Sequence, residues 1–222
     1  MHVAKLDIQG NSLVGLYIVP MDDIVLVGPE ISKKDRRIIE SVFKVETVAL
    51  TIAGTGLIGV FAATNGSVLV VPEIIFPHEE QILKEAGVNY RKIKTTLTCL
   101  GNNIVASRKG VLLNPGFEEE ALSQLQEAFS LPFKVFSLGD IPTIGSFIVC
   151  NSKYGLCSHD FSDEDISSIE KHLGIQLTTG TVNLGSTQVK SGLAVNDAGF
   201  VIGASSGGPE IINADEALGF LE

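Results

Sequence analysis

Short apolar runs of strand length recur along this chain, each followed by a polar turn or by a stretch whose apolar residues fall at helical spacing. Asp23-Ile-Val-Leu-Val-Gly-Pro-Glu-Ile-Ser32 is answered forty-three residues later by Gly66-Ser-Val-Leu-Val-Val-Pro-Glu-Ile-Ile75, with six of ten positions identical. A further forty-three residues lead from Pro72 to Pro115, in Val111-Leu-Leu-Asn-Pro115. The pattern then loses its proline but keeps its strand-like run, before Asp160 and again before Ser205. Self-similarity at a fixed period is the mark of a repeat architecture.

Each unit predicts the same elements. A first strand ends in a turn such as Asn65-Gly66, Arg108-Lys-Gly110, Ser152-Lys-Tyr-Gly155 or Asp197-Ala-Gly199. Asn, Asp and Gly there supply the positive φ of tight hairpins. A second strand follows, then an amphipathic helix. Ile38, Ile39, Val42 and Phe43 share one helical face, as do Ala121, Leu122, Leu125, Ala128 and Phe129. Ser32-x-x-Asp35 and Ser162-x-x-Asp165 have the spacing of capping boxes. Acidic residues load the first turns at Glu79-Glu80, Glu118-Glu119-Glu120 and Asp163-Glu164-Asp165, where the helix dipole favours them. Third strands are expected over Val45–Ile52, Lys92–Cys99, Lys134–Leu138 and Gln176–Val182.

Five ββαβ units are too few for a horseshoe, and radial closure protects sheet edges. The expected fold is therefore an α/β propeller of five blades with pseudo-fivefold symmetry. It forms a single domain over 1–222, with repeats near 1–53, 54–100, 101–141, 142–186 and 187–222. The two chain ends are expected to meet.

Composition narrows the function. The chain has 222 residues, of which 45% are hydrophobic and 19% charged. A chain of this length buries roughly 70% of its unfolded surface. No apolar run reaches the ~18 residues of a membrane span, and the N-terminus lacks an apolar signal core. Cys99, Cys150 and Cys157 are an odd set without disulfide density, which fits a reducing cytoplasm. The net charge of −10 is lopsided: residues 1–110 hold 12 Lys and Arg against 11 Asp and Glu, and residues 111–222 hold 4 against 15. A protein this acidic cannot draw most of its affinity from phosphates, so a partner near nucleic acid should be gripped chiefly through protein.

Two motifs fail in context. Gly54-Thr-Gly56-Leu-Ile-Gly59 spells G-x-G-x-x-G, but a dinucleotide site needs a helix opening there. The sequence that follows, Val60-Phe-Ala-Ala, reads instead as a strand running to a hairpin turn. Gly203-Ala-Ser205-Ser-Gly207 spells G-x-S-x-G, yet its base should lie later in the chain, and the last histidine is His172. The four histidines have no metal-ligand spacing. No cofactor and no metal are expected.

Gln9-Gly-Asn11-Ser-Leu-Val-Gly15, Leu100-Gly-Asn102, Gly180-Thr-Val-Asn-Leu-Gly-Ser186 and Gly192-Leu-Ala-Val-Asn-Asp197 resemble the translation initiation factor six family of archaea and eukaryotes. The likeness spans the chain, and the short end at Glu222 is similar to the archaeal branch. It implies the five-bladed pentein propeller and a monomer that is not an enzyme. The partner it implies is the large ribosomal subunit, bound at the face that meets the small subunit, beside a uL14-type protein and near the sarcin–ricin loop. Bound there, the factor blocks subunit joining until a GTPase-dependent system releases it. By the same resemblance the contact residues lie on one rim of the ring, at Asn65, Asn102, Ser146 and Phe147. Where the family often has a basic residue, this chain has Val60.

The residues themselves leave other readings open. Asn11, Asn65, Asn102, Asn151 and Asn196 all sit at turns or junctions, where Asn is favoured for backbone reasons. A strand aromatic such as Phe147 is commonly core. Penteins also include guanidine-modifying enzymes with a cysteine nucleophile near the C-terminal end, whereas no cysteine follows Cys157 here. A scaffold without a ribosomal partner is the third reading.

Overall fold

The computed structural model describes residues 1–221; Glu222, the last residue of the expected fifth repeat, lies outside them. The described residues form five three-stranded sheets, each ordered inner, middle, outer. In the first blade the inner strand Ile18–Pro20 pairs antiparallel with the middle strand Ile24–Val27, which pairs parallel with the outer strand Glu46–Ala49. A parallel pair needs a crossover, supplied by the helix Lys33–Phe43. The next three blades repeat this around the middle strands Leu69–Pro72, Val111–Leu113 and Tyr154–Ser158.

The fifth blade is assembled from both ends of the chain. Its inner and middle strands are Leu193–Asn196 and Gly199–Gly203, and its outer strand is Val3–Leu6, paired parallel with Val3 opposite Phe200 and Leu6 opposite Gly203. The chain ends meet, as expected. The first strand, however, lies in the last blade rather than in the repeat that begins at residue 1. The other strands of each blade, inner, middle and outer, fall within one sequence repeat, so Val3–Leu6 is the single strand that joins a blade other than that of its own repeat.

The middle strands are near-continuous apolar runs because both of their faces are covered. Alternate side chains feed two different cores. Val25 and Val27 pack with Ile39, Val42 and Phe43 of their own helix and with Leu6 and Val201 of the fifth blade. Leu26, between them, packs with Leu69, Val71 and Leu83 of the second blade. The same division places Val70 with the third blade, Leu112 with the fourth and Leu156 with the fifth. Each core thus joins two neighbouring blades, so the stability of one blade depends on the next.

The expected helix faces are the buried ones: Ile39, Val42 and Phe43 in Lys33–Phe43, and Ala121, Leu125 and Phe129 in Glu119–Phe129. Ser32 and Ser162 accept hydrogen bonds from the backbone N–H of Asp35 and Asp165 respectively. The outer strands are shorter than expected, ending at Ala49, Ile93, Val135 and Gly180. Beyond them the chain turns back on itself, and isolated bridges join Ile8 to Asn11, Ile52 to Thr55, Leu138 to Ile141 and Val182 to Ser186.

Candidate functional site

Each inner strand is preceded by a short helical turn: Val14–Leu16, Ile58–Phe61, Leu100–Asn103, Ile144–Ser146 and Val189–Gly192. The turn at Ile58–Phe61 replaces the strand expected after Gly54–Gly59. It is a single turn, too short to present the helix N-terminus that a dinucleotide fingerprint requires. The five turns touch in a ring. A β-carbon on Gly59 would collide with the carbonyl oxygen of Gly15, on Gly101 with that of Gly59, on Gly145 with that of Gly101, and on Gly15 with that of Lys190. Close backbone approach therefore explains the apolar-Gly pair that opens four of the units. The fifth unit has Val189-Lys190 in the same place.

Two cavities lie along the ring axis. The ring of turns separates a wide cavity of about 120 Å³ at the hairpin end from a shallow one of about 80 Å³ at the other end. Asn102 and Ser146 directly follow ring residues and line the shallow opening together with Leu16, Gln188 and Ser191. Two of the four expected contact residues are thus brought onto one rim. The Asn102 backbone N–H is held by Cys99, but its side-chain amide has no hydrogen-bond partner among the described residues. Neighbouring Asn103 is the opposite case: it is buried, donates to the Cys99 carbonyl at 2.9 Å and accepts from Asn114 at 2.6 Å.

Asn65 lies at the other end of the axis, in the hairpin turn beside the wide cavity. Its side-chain oxygen accepts from the backbone N–H of Ser67 at 3.1 Å and of Val68 at 3.0 Å. Asn151 and Asn196 do the same in their own hairpins, and Ser107 does so with its hydroxyl. These side chains hold the turn in shape, as Asx geometry does. Phe147 is 4% exposed and packs with Ile144, Ile148, Phe161 and Leu173. Its turn directs the ring inward, so it is a core residue and not an exposed aromatic on the rim.

Glutamates in the first helical turns do more than meet the dipole. Glu79 is fully buried, and its carboxylate accepts from the Thr51 hydroxyl and from the backbone N–H of Ala53, Gly54 and Phe76. Burial raises its pKa, but the hydrogen bonds outweigh it, and the carboxyl stays below the usual range. Glu210 holds Thr181, Leu184, Gly185 and Gly207 in the same manner, with its pKa likewise lowered. Glu118 is held at about 2 by the hydroxyls of Thr95 and Thr96 and the Thr96 backbone N–H. These carboxylates fasten the loops that carry the chain into the ring. Glu at the helix cap, as Glu118, or three residues past it, as Glu79 and Glu210, was the available signal.

The thiol of Cys150 faces the wide cavity, and burial pushes it up to about 12; Cys157, in the core, is also pushed up to about 12. Neither is an activated nucleophile. Ser205, in the G-x-S-x-G stretch, shares a hydrogen bond with Ser12 at 2.8 Å and ties the last blade to the first loop. No cluster of metal-binding side chains occurs among the described residues, and none of their helices is long and apolar enough to cross a membrane.

Comparison with known proteins agrees with this architecture. Among relatives of full length, translation initiation factor 6 of Thermococcus onnurineus is 30% identical over 228 residues, with both chains covered completely. That of Natronomonas pharaonis is 31% identical, covering 97% of this chain and 98% of its own. Among solved structures, the N-terminal domain of ArgZ, an arginine dihydrolase from cyanobacteria, superposes with a TM-score of 0.52 at 11% identity over 85% of this chain and 72% of its own. SxtG, an amidinotransferase from Microseira wollei, does so with a TM-score of 0.50 at 10% identity, over 79% and 62%. At such identity the likeness is one of fold, the pentein propeller. The family model of the eIF-6 family matches residues 3–217, from the outer strand of the fifth blade to the last helix, and the chain belongs to that family.

Proposed function

We propose that this protein binds the large ribosomal subunit at its intersubunit face and prevents the small subunit from joining. The observation that carries this reading is the family match over the whole ring, with relatives named translation initiation factor 6. The docking partner is a uL14-type ribosomal protein near the sarcin–ricin loop, and the protein acts in the cytoplasm as a monomer. Asn102 and Ser146 belong to the contact surface: their rim is accessible, and the Asn102 amide is free to bond outward. Asn65 contributes only if the partner also reaches the hairpin end.

The action is steric and needs no catalysis. An enzyme of the guanidine-modifying kind would need a reactive thiol in the wide cavity. Cys150 is there, but its thiol is pushed up to about 12, and the Lys190 ammonium beside it repels a guanidinium.

Co-sedimentation with purified archaeal large subunits, without nucleotide, tests the proposal. The protein should pellet with large subunits and remain in the supernatant with small ones. Failure to pellet with large subunits under low-salt conditions would overturn it.

A further inference from the structure

Lys190 breaks the ring's own rule. Its counterparts in the other four turns are Gly15, Gly59, Gly101 and Gly145. Its side chain does not leave the ring. It crosses the axis past the neighbouring turn Ile144–Ser146, and its Nζ donates to the carbonyl oxygen of Gly101 at 2.5 Å. Lys190 lines both cavities and lies between them. The wide cavity is thus a blind pocket, closed at its floor by an ammonium.

The walls above that floor are mainly apolar, with Val19, Val105, Val149 and Val195 the inner-strand side chains that keep some exposure, and the polar lining gathers at the hairpin turns, at Asn65, Asn151 and Asn196. An ammonium has three donors, and Gly101 takes one. No carboxylate lies within ion-pair distance of Lys190 among the described residues; the two acids lining the pocket sit at its mouth, where Asp22 is paired with Arg108 and Asp197 accepts from the backbone N–H of Ser152. Enclosure by protein pushes the Lys190 ammonium down to about 8, with Cys150 acting in the other direction. A cation held without a counter-ion between apolar walls is costly, and an anion that replaces its lost hydration relieves the cost.

We propose that the blind axial pocket binds a small apolar monocarboxylate, with the carboxylate on Lys190 at the floor and the hydrocarbon against the inner-strand walls. The mouth opens at the hairpin end, opposite the rim of Asn102 and Ser146, so the pocket can fill whether or not that rim is occupied. A charge-assisted hydrogen bond in such a setting is stronger than a neutral one, and the walls favour an alkyl chain over a bare inorganic anion.

Titration of the isolated protein with hexanoate, hexanol, hexylamine and chloride, followed through the methyl resonances of Val19, Val105, Val149 and Val195, tests this. Hexanoate should shift these methyls saturably, hexanol should bind at least about tenfold more weakly, and hexylamine and chloride should leave them in place. Lys190→Met, which keeps the chain length and removes the charge, should weaken hexanoate by about tenfold or more and leave hexanol unchanged. Lys190→Gly restores the residue of the other four turns and serves as a second variant compatible with the ring; it too should lose hexanoate. Absence of saturable shifts with hexanoate, or equal affinity in Lys190→Met, would overturn the proposal. Ribosome binding plays no part in these titrations, so neither result bears on the proposed function.

Discussion

Phe147 and Asn102 show how far a single residue type carries a reading. Both follow a short apolar-Gly segment, and both invite the same interpretation as contact residues. One residue separates their fates. Asn102 stands immediately after ring residue Gly101 and lines the rim, whereas Phe147 stands two after Gly145 and turns into the core. Phe147→Ala should therefore cost roughly 3–5 kcal/mol of stability, measured by denaturant unfolding, with affinity per folded molecule for large subunits unchanged. Asn102→Ser should do the reverse. Its amide supports nothing inside the protein, so the melting temperature should hold. A hydroxyl replaces part of the amide's hydrogen bonding, so affinity should fall by a factor of a few in a subunit-binding titration. Asn65 repeats the lesson: its identity is explained by the two backbone N–H groups it holds.

At the scale of elements, the period in the apolar pattern revealed the middle strands, the helices and their number, because each middle strand is covered on both faces and each helix on one. Two features escaped. The pairing of Val3–Leu6 with Gly199–Gly203 spans nearly the whole chain, and no local pattern encodes a partner that far away. The helical turns escaped because they last only three or four residues, too short for periodicity, although the recurring apolar-Gly pair marked their places. Glu79 and Glu118 were legible as dipole partners but not as clasps for the preceding loop. Their lowered pKa values make a stability prediction. A carboxyl whose folded pKa lies below its unfolded value of about 4.3 contributes stability above that pH and loses it as pH falls through the folded value. Glu79→Gln should cost about 1–3 kcal/mol at neutral pH, because a buried set of N–H donors loses its acceptor charge. The gap between variant and wild type should narrow as pH drops below about 4, in thermal melts across an acid series. A gap independent of pH would show that the Glu79 charge does not hold the loop.

For the whole molecule, the ring has two unlike ends. One carries the rim of Asn102 and Ser146, and the other carries the hairpin turns and the mouth of the axial pocket. Sequence alone indicated a ring and a ribosomal family but could not assign residues to ends, because inner strands of two to four residues carry the chain from one end to the other within a few positions. Blocking subunit joining requires only that one end be seated and that the body stand in the way. Light scattering during joining of purified small and large subunits in Mg²⁺ tests this most directly. Pre-incubation of large subunits with this protein should lower the scattering rise in proportion to occupancy, without nucleotide, and Asn102→Ser should require more protein for the same effect. A full scattering rise with large subunits shown to be saturated would contradict the account, since the protein would then bind without standing between the subunits.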